Sequence, residues 1–175
     1  MQTNSPTSPI ITARRSIIIN APLAAVFAFA ADLRNDAQWR AEVHGTELST
    51  PQPLPGSVAT EDAFLSAKVP HSIKRLLYLR YDDGQLMRCT TEAGDPNWLS
   101  MERRFQRVGT QATRLEYALE FERKVVDEAM GFAPPLWFLR WYTNWMMGRY
   151  LRKLKGLLEA EQKTAVPAAS LQRAG

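Results

Sequence analysis

The chain has 175 residues, of which 45% are hydrophobic and 23% are charged, and its formal net charge is +4. This length and composition are typical of one globular domain with a sizeable core, and they argue against general disorder and against a membrane span. Cys89 is the only cysteine, which excludes an intrachain disulfide and a cluster of cysteine metal ligands. With only two histidines, His44 and His71, we expect neither a metal site nor a cofactor.

The two ends of the chain are predicted to lie outside the folded domain. Residues 1–13, which begin with a polar segment rich in Ser, Thr and Pro, are predicted to form a flexible N-terminal tail. Residues 163–175 are predicted to be disordered. The N-terminal residues hold no apolar segment as long as that of a secretory signal, so we expect a cytoplasmic protein. Basic residues are scattered rather than clustered, and we expect no nucleic-acid partner.

The first part of the predicted domain holds one strand and two short helices. The β-branched run Ser-Ile-Ile-Ile within residues 14–20 is typical of a strand. Apolar residues then recur at helical spacing from Leu23 to Leu33, behind Pro22, which the first turn of a helix tolerates. A second short helical segment is predicted at residues 35–39.

The middle of the chain has the pattern of an antiparallel meander, with turn residues at fairly regular intervals. The last strand alternates most clearly, since Leu115 and Tyr117 are separated by charged residues that would face solvent. The strands are predicted at residues 43–49, 57–67, 72–81, 86–92, 98–107 and 113–124.

The chain closes with one long amphipathic helix, predicted at residues 136–159, directly behind two prolines. At about 100° per residue, one broad side of this helix is apolar and must be buried. The residues on that side are Leu136, Leu139, Thr143, Met146, Met147, Tyr150, Leu151, Leu154, Leu157 and Leu158.

The order of these elements predicts an α+β helix-grip fold over residues 14–162. Seven antiparallel strands form a curved sheet that wraps around the C-terminal helix, with the two short helices between strands 1 and 2. The long helix is the only element able to cover the sheet, and a cavity remains between them if the inward side chains do not fill it.

The stretch SIIINAPLAAVFAFAADLRNDAQWRAEV resembles the opening of START-like, helix-grip (SRPBCC) proteins of the polyketide cyclase/dehydrase branch. The closing YLRKLKGLLEAE is similar to the last helix of that family. Members bind lipids and other apolar molecules or cyclise polyketides, so the resemblance implies the same fold and a ligand of that class. The matching residues at the opening are Ile19, Ala21, Pro22, Val26, Phe27, Asp32, Leu33, Asn35 and Trp39.

Arg103 is the most informative candidate site residue, because its position in the alternating strand places it on the apolar inner face. A buried arginine is costly unless it is paired. It either binds a carboxylate, phenolate or carbonyl group of a ligand, or pairs with a core carboxylate such as Glu61 or Asp62. Tyr117, also on the inner face, either donates a hydrogen bond to a ligand or is a core residue.

We predict that the cavity between sheet and helix is a binding site. Trp39 would stand at its mouth, and Met146 and Met147 would give the helix an adaptable inner surface, although packing explains all three as well. His71 and Tyr78 are further candidates for a general acid or base, but no catalytic constellation follows from the spacing. The predicted lining residues are Trp39, Leu99, Met101, Arg103, Tyr117, Leu119, Met146, Met147 and Tyr150.

A second aromatic stripe lies on the other side of the closing helix. Phe138, Trp141 and Trp145 recur at i, i+3 and i+7, opposite the side that covers the sheet. Either the preceding segment, residues 127–135, or a loop between strands folds over these rings, or the rings form a homodimer interface or a membrane-surface contact.

Three functions fit this sequence. We expect binding or transport of a hydrophobic small molecule or lipid, which needs only a cavity and an opening. The alternatives are a cyclase or aromatase acting on a polyketide-like substrate through Arg103, Tyr117 or His71, and an interaction module with a filled interior.

Overall fold

The computed structural model describes residues 5–171, and the side chains of residues 5–164. Its strands are β1 Ile10–Ile19, β2 Val43–Leu48, β3 Val58–Ala63, β4 Ser72–Asp82, β5 Leu86–Thr91, β6 Leu99–Arg107 and β7 Thr113–Glu122. Its α-helices are α1 Leu23–Ala30, α2 Arg123–Met130 and α3 Leu136–Leu171, and a 3₁₀ helix spans Leu33–Gln38.

The seven strands form one antiparallel sheet in the order β1-β7-β6-β5-β4-β3-β2, so that β1 and β2 are its edges. The sheet curves around α3, and α1 and the 3₁₀ helix lie between β1 and β2 in the chain. This confirms the predicted α+β helix-grip fold. Among the described helices, none combines the length and the apolar composition that crossing a bilayer requires.

The core lies between the inner face of the sheet and α3, as the two periodicities predict. In β7, Leu115 and Tyr117 are buried while Arg114 and Glu116 are exposed. On α3 the predicted buried side is confirmed along most of its length, but Leu136 at the first turn is 38% exposed. Each fully buried leucine of this face contributes roughly 1.5–3 kcal/mol to folding. The fully buried residues of the face are Leu139, Met147, Leu151, Leu154 and Leu158.

Several element boundaries differ from those predicted, most of all the end of α3, which continues to Leu171 rather than ending at residue 159. β1 begins at Ile10 rather than at residue 14, because Ile11 and Ala13 also face the core and pair with β7. β3 ends at Ala63 rather than at residue 67, and a tight reversal with a bridge between Ser66 and Val69 follows it.

β7 ends at Glu122, and the helix α2, which was not predicted, begins directly after it. It ends at Gly131, whose positive φ of 75° gives the left-handed conformation that closes a helix with little strain. Of the predicted terminal tails, residues 1–4 and 172–175 lie outside the described part of the chain.

Glu122 fastens the end of β7 to the N-terminal segment and to β6. One carboxylate oxygen accepts hydrogen bonds from the backbone N–H groups of Thr7 and Ser8, and the other accepts one from the N–H of Trp98. Lys124 lies 2.9 Å from the same carboxylate. Burial opposes ionisation, but these donors outweigh it and hold the pKa of Glu122 at about 2.

Candidate functional site

A cluster of five charged side chains lies beneath the inner face of the sheet. The 3₁₀ helix supplies Asp36, the segment after it supplies Arg40 and Glu42, β3 supplies Glu61, and β6 supplies Arg103. We call this set the buried charge cluster. Arg103 and Asp36 have no exposed side-chain surface, and Arg40 and Glu61 are also buried.

Asp36 joins the two arginines of the cluster. Its carboxylate accepts hydrogen bonds from both terminal nitrogens of Arg103, at 2.8 and 2.5 Å, and from Nη1 of Arg40 at 3.0 Å. Arg40 also donates to Glu61 at 2.8 Å and to Glu42 at 2.9 Å. Arg103 therefore pairs with a core carboxylate, one of the two alternatives that the sequence left open, and that carboxylate is Asp36 rather than Glu61 or Asp62.

The Arg103 guanidinium also contacts two aromatic rings. It lies 4.7 Å from the centroid of Trp39 and 4.8 Å from that of Tyr117, distances at which a cation is attracted to an aromatic face. Its Nη1 donates a further hydrogen bond to the carbonyl of Ala30 at 2.7 Å. Among the described residues, Trp39 Nε1 and Tyr117 Oη have no hydrogen-bond partner. Both atoms are buried in the core beside the Arg103 guanidinium.

Burial and charge act against each other on the ionisable groups of the cluster. Burial lowers the pKa of Arg103, but Asp36 and Tyr117 outweigh it and the pKa is raised, so the guanidinium stays charged. Burial raises the pKa of Glu61, and Arg40 opposes that rise only in part. Burial also raises the pKa of Tyr117, which keeps its hydroxyl protonated and able to donate.

The structure brings most of the predicted lining residues into one packed core. Trp39, Met101, Tyr117 and Met147 are buried there together with Arg103. Leu99, Leu119 and Tyr150 pack against this core and are partly buried, and Met146 is half-buried on α3. None of these nine residues borders either of the two pockets described next, and their role in ligand binding remains a prediction.

Of the two further candidates for a general acid or base, Tyr78 is buried and His71 is exposed. The Tyr78 hydroxyl is buried, where it accepts a hydrogen bond from the N–H of Leu33 and donates one to the carbonyl of Ala31. Both bonds hold the 3₁₀ helix against β4, so they support a structural role. His71 is exposed near the start of β4, beside Asp62.

One pocket is a cleft between β1 and α3, with a volume of about 310 Å³. Arg15 and Ile17 pair with Tyr117 and Leu115 of β7, so they lie on the inner face of the sheet at its edge. We call this pocket the β1–α3 cleft. It is lined by Arg15, Ser16, Ile17, Trp141, Asn144, Trp145, Gly148, Leu151 and Arg152.

Gly148 faces this cleft from α3. A Cβ atom added there would meet only the end of the flexible Arg152 side chain, at 3.6 Å. A glycine in the middle of a helix costs roughly 0.5–1 kcal/mol relative to alanine, and here its missing side chain leaves space in the cleft. The other pocket, of about 330 Å³, is lined chiefly by polar and charged groups, including Arg80, Asp82, Arg104 and Glu116.

A row of aromatic side chains on α3 is exposed next to the cleft. Trp137 is 72% exposed and Trp141 is 58% exposed, while Tyr142 and Trp145 are about half-exposed. The rings of Trp141 and Trp145 stack on each other, Tyr142 is tilted against Trp145, and Arg149 lies 5.0 Å from the Trp145 ring. We call these four residues the α3 aromatic row.

The rest of the second stripe is more buried. Phe138 packs beside the cluster of Ile11, Phe121 and Leu139. The segment ahead of α3 therefore leaves the rings of the α3 aromatic row accessible.

Sequence reasoning missed Asp36, Arg40 and the β1–α3 cleft. Asp36 lies on a short polar helix whose charges would ordinarily face solvent. For the cleft there was a signal, because a glycine inside a strongly helical pattern often marks a close approach or open space.

The sequence matches a known protein family over most of its length. Residues 11–159 match the model of the family described as polyketide cyclase / dehydrase and lipid transport. No curated protein matches the chain at a significant level.

Several solved structures are similar in fold. A START superfamily protein from Mycobacterium smegmatis is 13% identical with a TM-score of 0.67, over 85% of this chain and 97% of that one. The di-domain aromatase/cyclase BexL of the BE-7585A biosynthetic pathway is 12% identical with a TM-score of 0.60, over 86% of this chain and 49% of that one. A point mutant of a Thalictrum norcoclaurine synthase is 7% identical with a TM-score of 0.58, over 90% of this chain and 99% of that one. At these identities the likeness shows the shared fold.

Proposed function

Since the chain belongs to the polyketide cyclase / dehydrase and lipid transport family, a START-like group of ligand-binding domains, we propose that it binds or transports a hydrophobic small molecule or lipid between the sheet and α3. The ligand is an amphiphile with an apolar body and an anionic or carbonyl head. It enters at the β1–α3 cleft, at the edge of the inner face.

The lining of the β1–α3 cleft carries this proposal. Ile17, Leu151 and the two tryptophans offer apolar walls, and Arg15 and Arg152 offer two cationic groups at the same place. Pockets for small ligands typically have volumes of about 300–1,000 Å³, mostly apolar walls and a few polar groups that fix orientation. At about 310 Å³ the cleft suits one ring system or part of an acyl chain.

Two glycine substitutions on α3 test this site. Gly148→Leu fills the cleft, whereas Gly156→Leu adds the same side chain to the same helix at a position with open space around it. We expect 1-anilinonaphthalene-8-sulfonate to bind the wild type and Gly156→Leu at one saturable site, and oleate to displace the probe from that site. We expect Gly148→Leu to bind the probe at least about tenfold more weakly, a loss of about 1.4 kcal/mol in binding free energy. Equal binding to all three proteins would contradict the site.

A second candidate function is a cyclase- or aromatase-type reaction. Two buried polar atoms beside Arg103, Trp39 Nε1 and Tyr117 Oη, have no hydrogen-bond partner in the described part of the chain. They favour this function, because an enzyme of this kind needs polar groups that converge on a substrate oxygen. In that case Tyr117→Phe abolishes turnover of a poly-β-ketone thioester and leaves probe binding intact. A wild-type protein that binds the thioester and returns it unchanged is a carrier.

The α3 aromatic row supports a membrane-surface contact through which the ligand is collected. Exposed tryptophans next to Arg140 and Arg149 combine apolar anchors with positive charge, which matches an anionic lipid surface. A cytoplasmic protein would meet such a surface on the inner leaflet. Phe138, Trp141 and Trp145, predicted from the sequence for this contact, belong to the same side of α3.

A substitution outside the cleft separates docking from ligand binding. Trp137→Ser removes the most exposed ring of the row, and Ile73→Ser removes a comparably exposed apolar side chain from β4. We expect only Trp137→Ser to reduce flotation with phosphatidylglycerol vesicles. A wild type that ignores these vesicles refutes the membrane contact, and a wild type that sediments as a dimer disrupted by Trp137→Ser identifies the row as a homodimer interface.

A further inference from the structure

Both histidines of the chain and one aspartate come together at the edge of the sheet that β2, β3 and β4 form. His44 lies on β2, Asp62 on β3, and His71 just before β4. The ligand atoms of these three side chains, one from each, all lie within 4.8 Å of one another. The residues are far apart in the sequence, and only the pairing of β2 with β3 and of β3 with β4 brings them together.

The three side chains lie close together at the protein surface. Asp62 Oδ2 lies 2.9 Å from Nδ1 of His71, and the two imidazole rings are 5.1 Å apart and tilted by 37°. The side chain of His71 is 66% exposed, and His44 is exposed as well, so both rings are accessible to an ion in solution. The ligand atoms of a tetrahedral site with metal–ligand bonds of 2.0–2.1 Å are about 3.3 Å apart, so binding requires the two rings to turn toward one another.

The second oxygen of Asp62 adds an independent observation. Oδ1 is buried and, among the described residues, has no hydrogen-bond partner. An unsatisfied buried carboxylate oxygen is costly, and a bound cation removes that cost. Asp62 thus offers an oxygen atom without a partner among the described residues, close to the two imidazoles.

We infer that His44, Asp62 and His71 bind a divalent transition-metal ion, Zn²⁺ in the first instance, with water in the remaining positions. Two imidazoles and one carboxylate suit Zn²⁺, Ni²⁺ and Cu²⁺, whereas Mg²⁺ and Ca²⁺ prefer oxygen ligands. The site is distinct from the β1–α3 cleft, because it lies on β2–β4 at the opposite edge of the sheet from β1.

The ion would also fasten the loop between β3 and β4. Pro70, in that loop, has its carbonyl 3.2 Å from Nε2 of His44. Two residues earlier in the same loop, the ammonium group of Lys68 lies close to Gly131, at the end of α2. A metal ion at the three residues therefore ties edge strand β2 to the loop that contacts the segment ahead of α3.

Calorimetry on the full chain without an affinity tag, after dialysis against EDTA, tests this inference. We expect one Zn²⁺ per chain, no saturable binding of Mg²⁺, and a loss of roughly tenfold or more in affinity for His71→Ala and for Asp62→Asn. Asp83→Asn, in an exposed turn, is the matched control and retains wild-type binding.

Nuclear magnetic resonance of the imidazole groups gives a second readout. Because the chain has only two histidines, Zn²⁺ is expected to shift both imidazole spectra at the same stoichiometry. Zinc binding that survives in both His71→Ala and Asp62→Asn, or shifts in neither histidine, would overturn the assignment. Circular dichroism verifies that the variants, which alter side chains at the protein surface, remain folded.

Discussion

Removing Asp36 should destabilise the protein more than any other single change in the buried charge cluster. Asp36→Ala leaves the guanidinium of Arg103, which has no exposed surface, with the Ala30 carbonyl and the weakly accepting sulfur of Met101 as acceptors. Arginine cannot escape this situation by losing its proton, and breaking a buried ion pair from one side typically costs about 3–5 kcal/mol. Domains are stable by only about 5–15 kcal/mol, so a loss of this size is readily measured.

The converse substitution should be milder and should depend on pH. Arg103→Met leaves Asp36 with its hydrogen bond from Arg40, while Glu61, whose pKa burial raises, can take up a proton. The double variant Asp36→Ala with Arg103→Met removes the unpaired charge and should be more stable than Asp36→Ala alone.

Urea unfolding at neutral pH, with Asp83→Ala as an exposed control, measures all three variants. A cost below about 1 kcal/mol for Asp36→Ala, or a double variant that loses the sum of the two single effects, would refute this reasoning.

Two further predictions concern stability. The pKa of Glu122 is held at about 2, below its ordinary value of 4.5, so its contribution is present above about pH 4.5 and is lost as the pH falls toward 2. Glu122→Gln should therefore lower the free energy of unfolding at pH 7 and flatten the dependence of that free energy on pH between 5 and 2. Urea titrations at several pH values measure this dependence, and an unchanged slope of unfolding free energy against pH contradicts the hydrogen-bond account. Leu154→Ala, at a position with no exposed surface, should lower the free energy of unfolding by about 2–5 kcal/mol. The same change at half-exposed Leu65 should lower it much less. Equal losses would refute the assignment of the core face.

The order of the elements was readable from the sequence because local periodicity decides it. Alternation in β7 and the broad apolar side of α3 depend on which residues meet the core, and a sheet with one solvated face requires that alternation. α2 was missed for a local reason too. Val125 and Val126 continue the β-branched pattern of the strand, and the turn to helix follows from the burial of Ala129 and the stop at Gly131.

The partners inside the fold could not be read from spacing. The alternation of β6 places Arg103 on the inner face, but it carries no information on which acid approaches from elsewhere. Asp36 reaches it because the 3₁₀ helix is held against β4 by the two hydrogen bonds of Tyr78. The β1–α3 cleft likewise depends on where the edge strand meets the helix, which strand order alone does not determine.

A crystal structure of the protein with a dibrominated fatty acid tests the central claim most directly, because the anomalous signal of bromine locates the acyl chain without interpretation of weak density. Our account predicts bromine peaks in the β1–α3 cleft, against Ile17, Trp145 and Leu151, with the carboxylate near Arg15 or Arg152. Peaks confined to the polar pocket around Arg80 and Glu116, or no ordered bromine in crystals soaked to saturation, would contradict it.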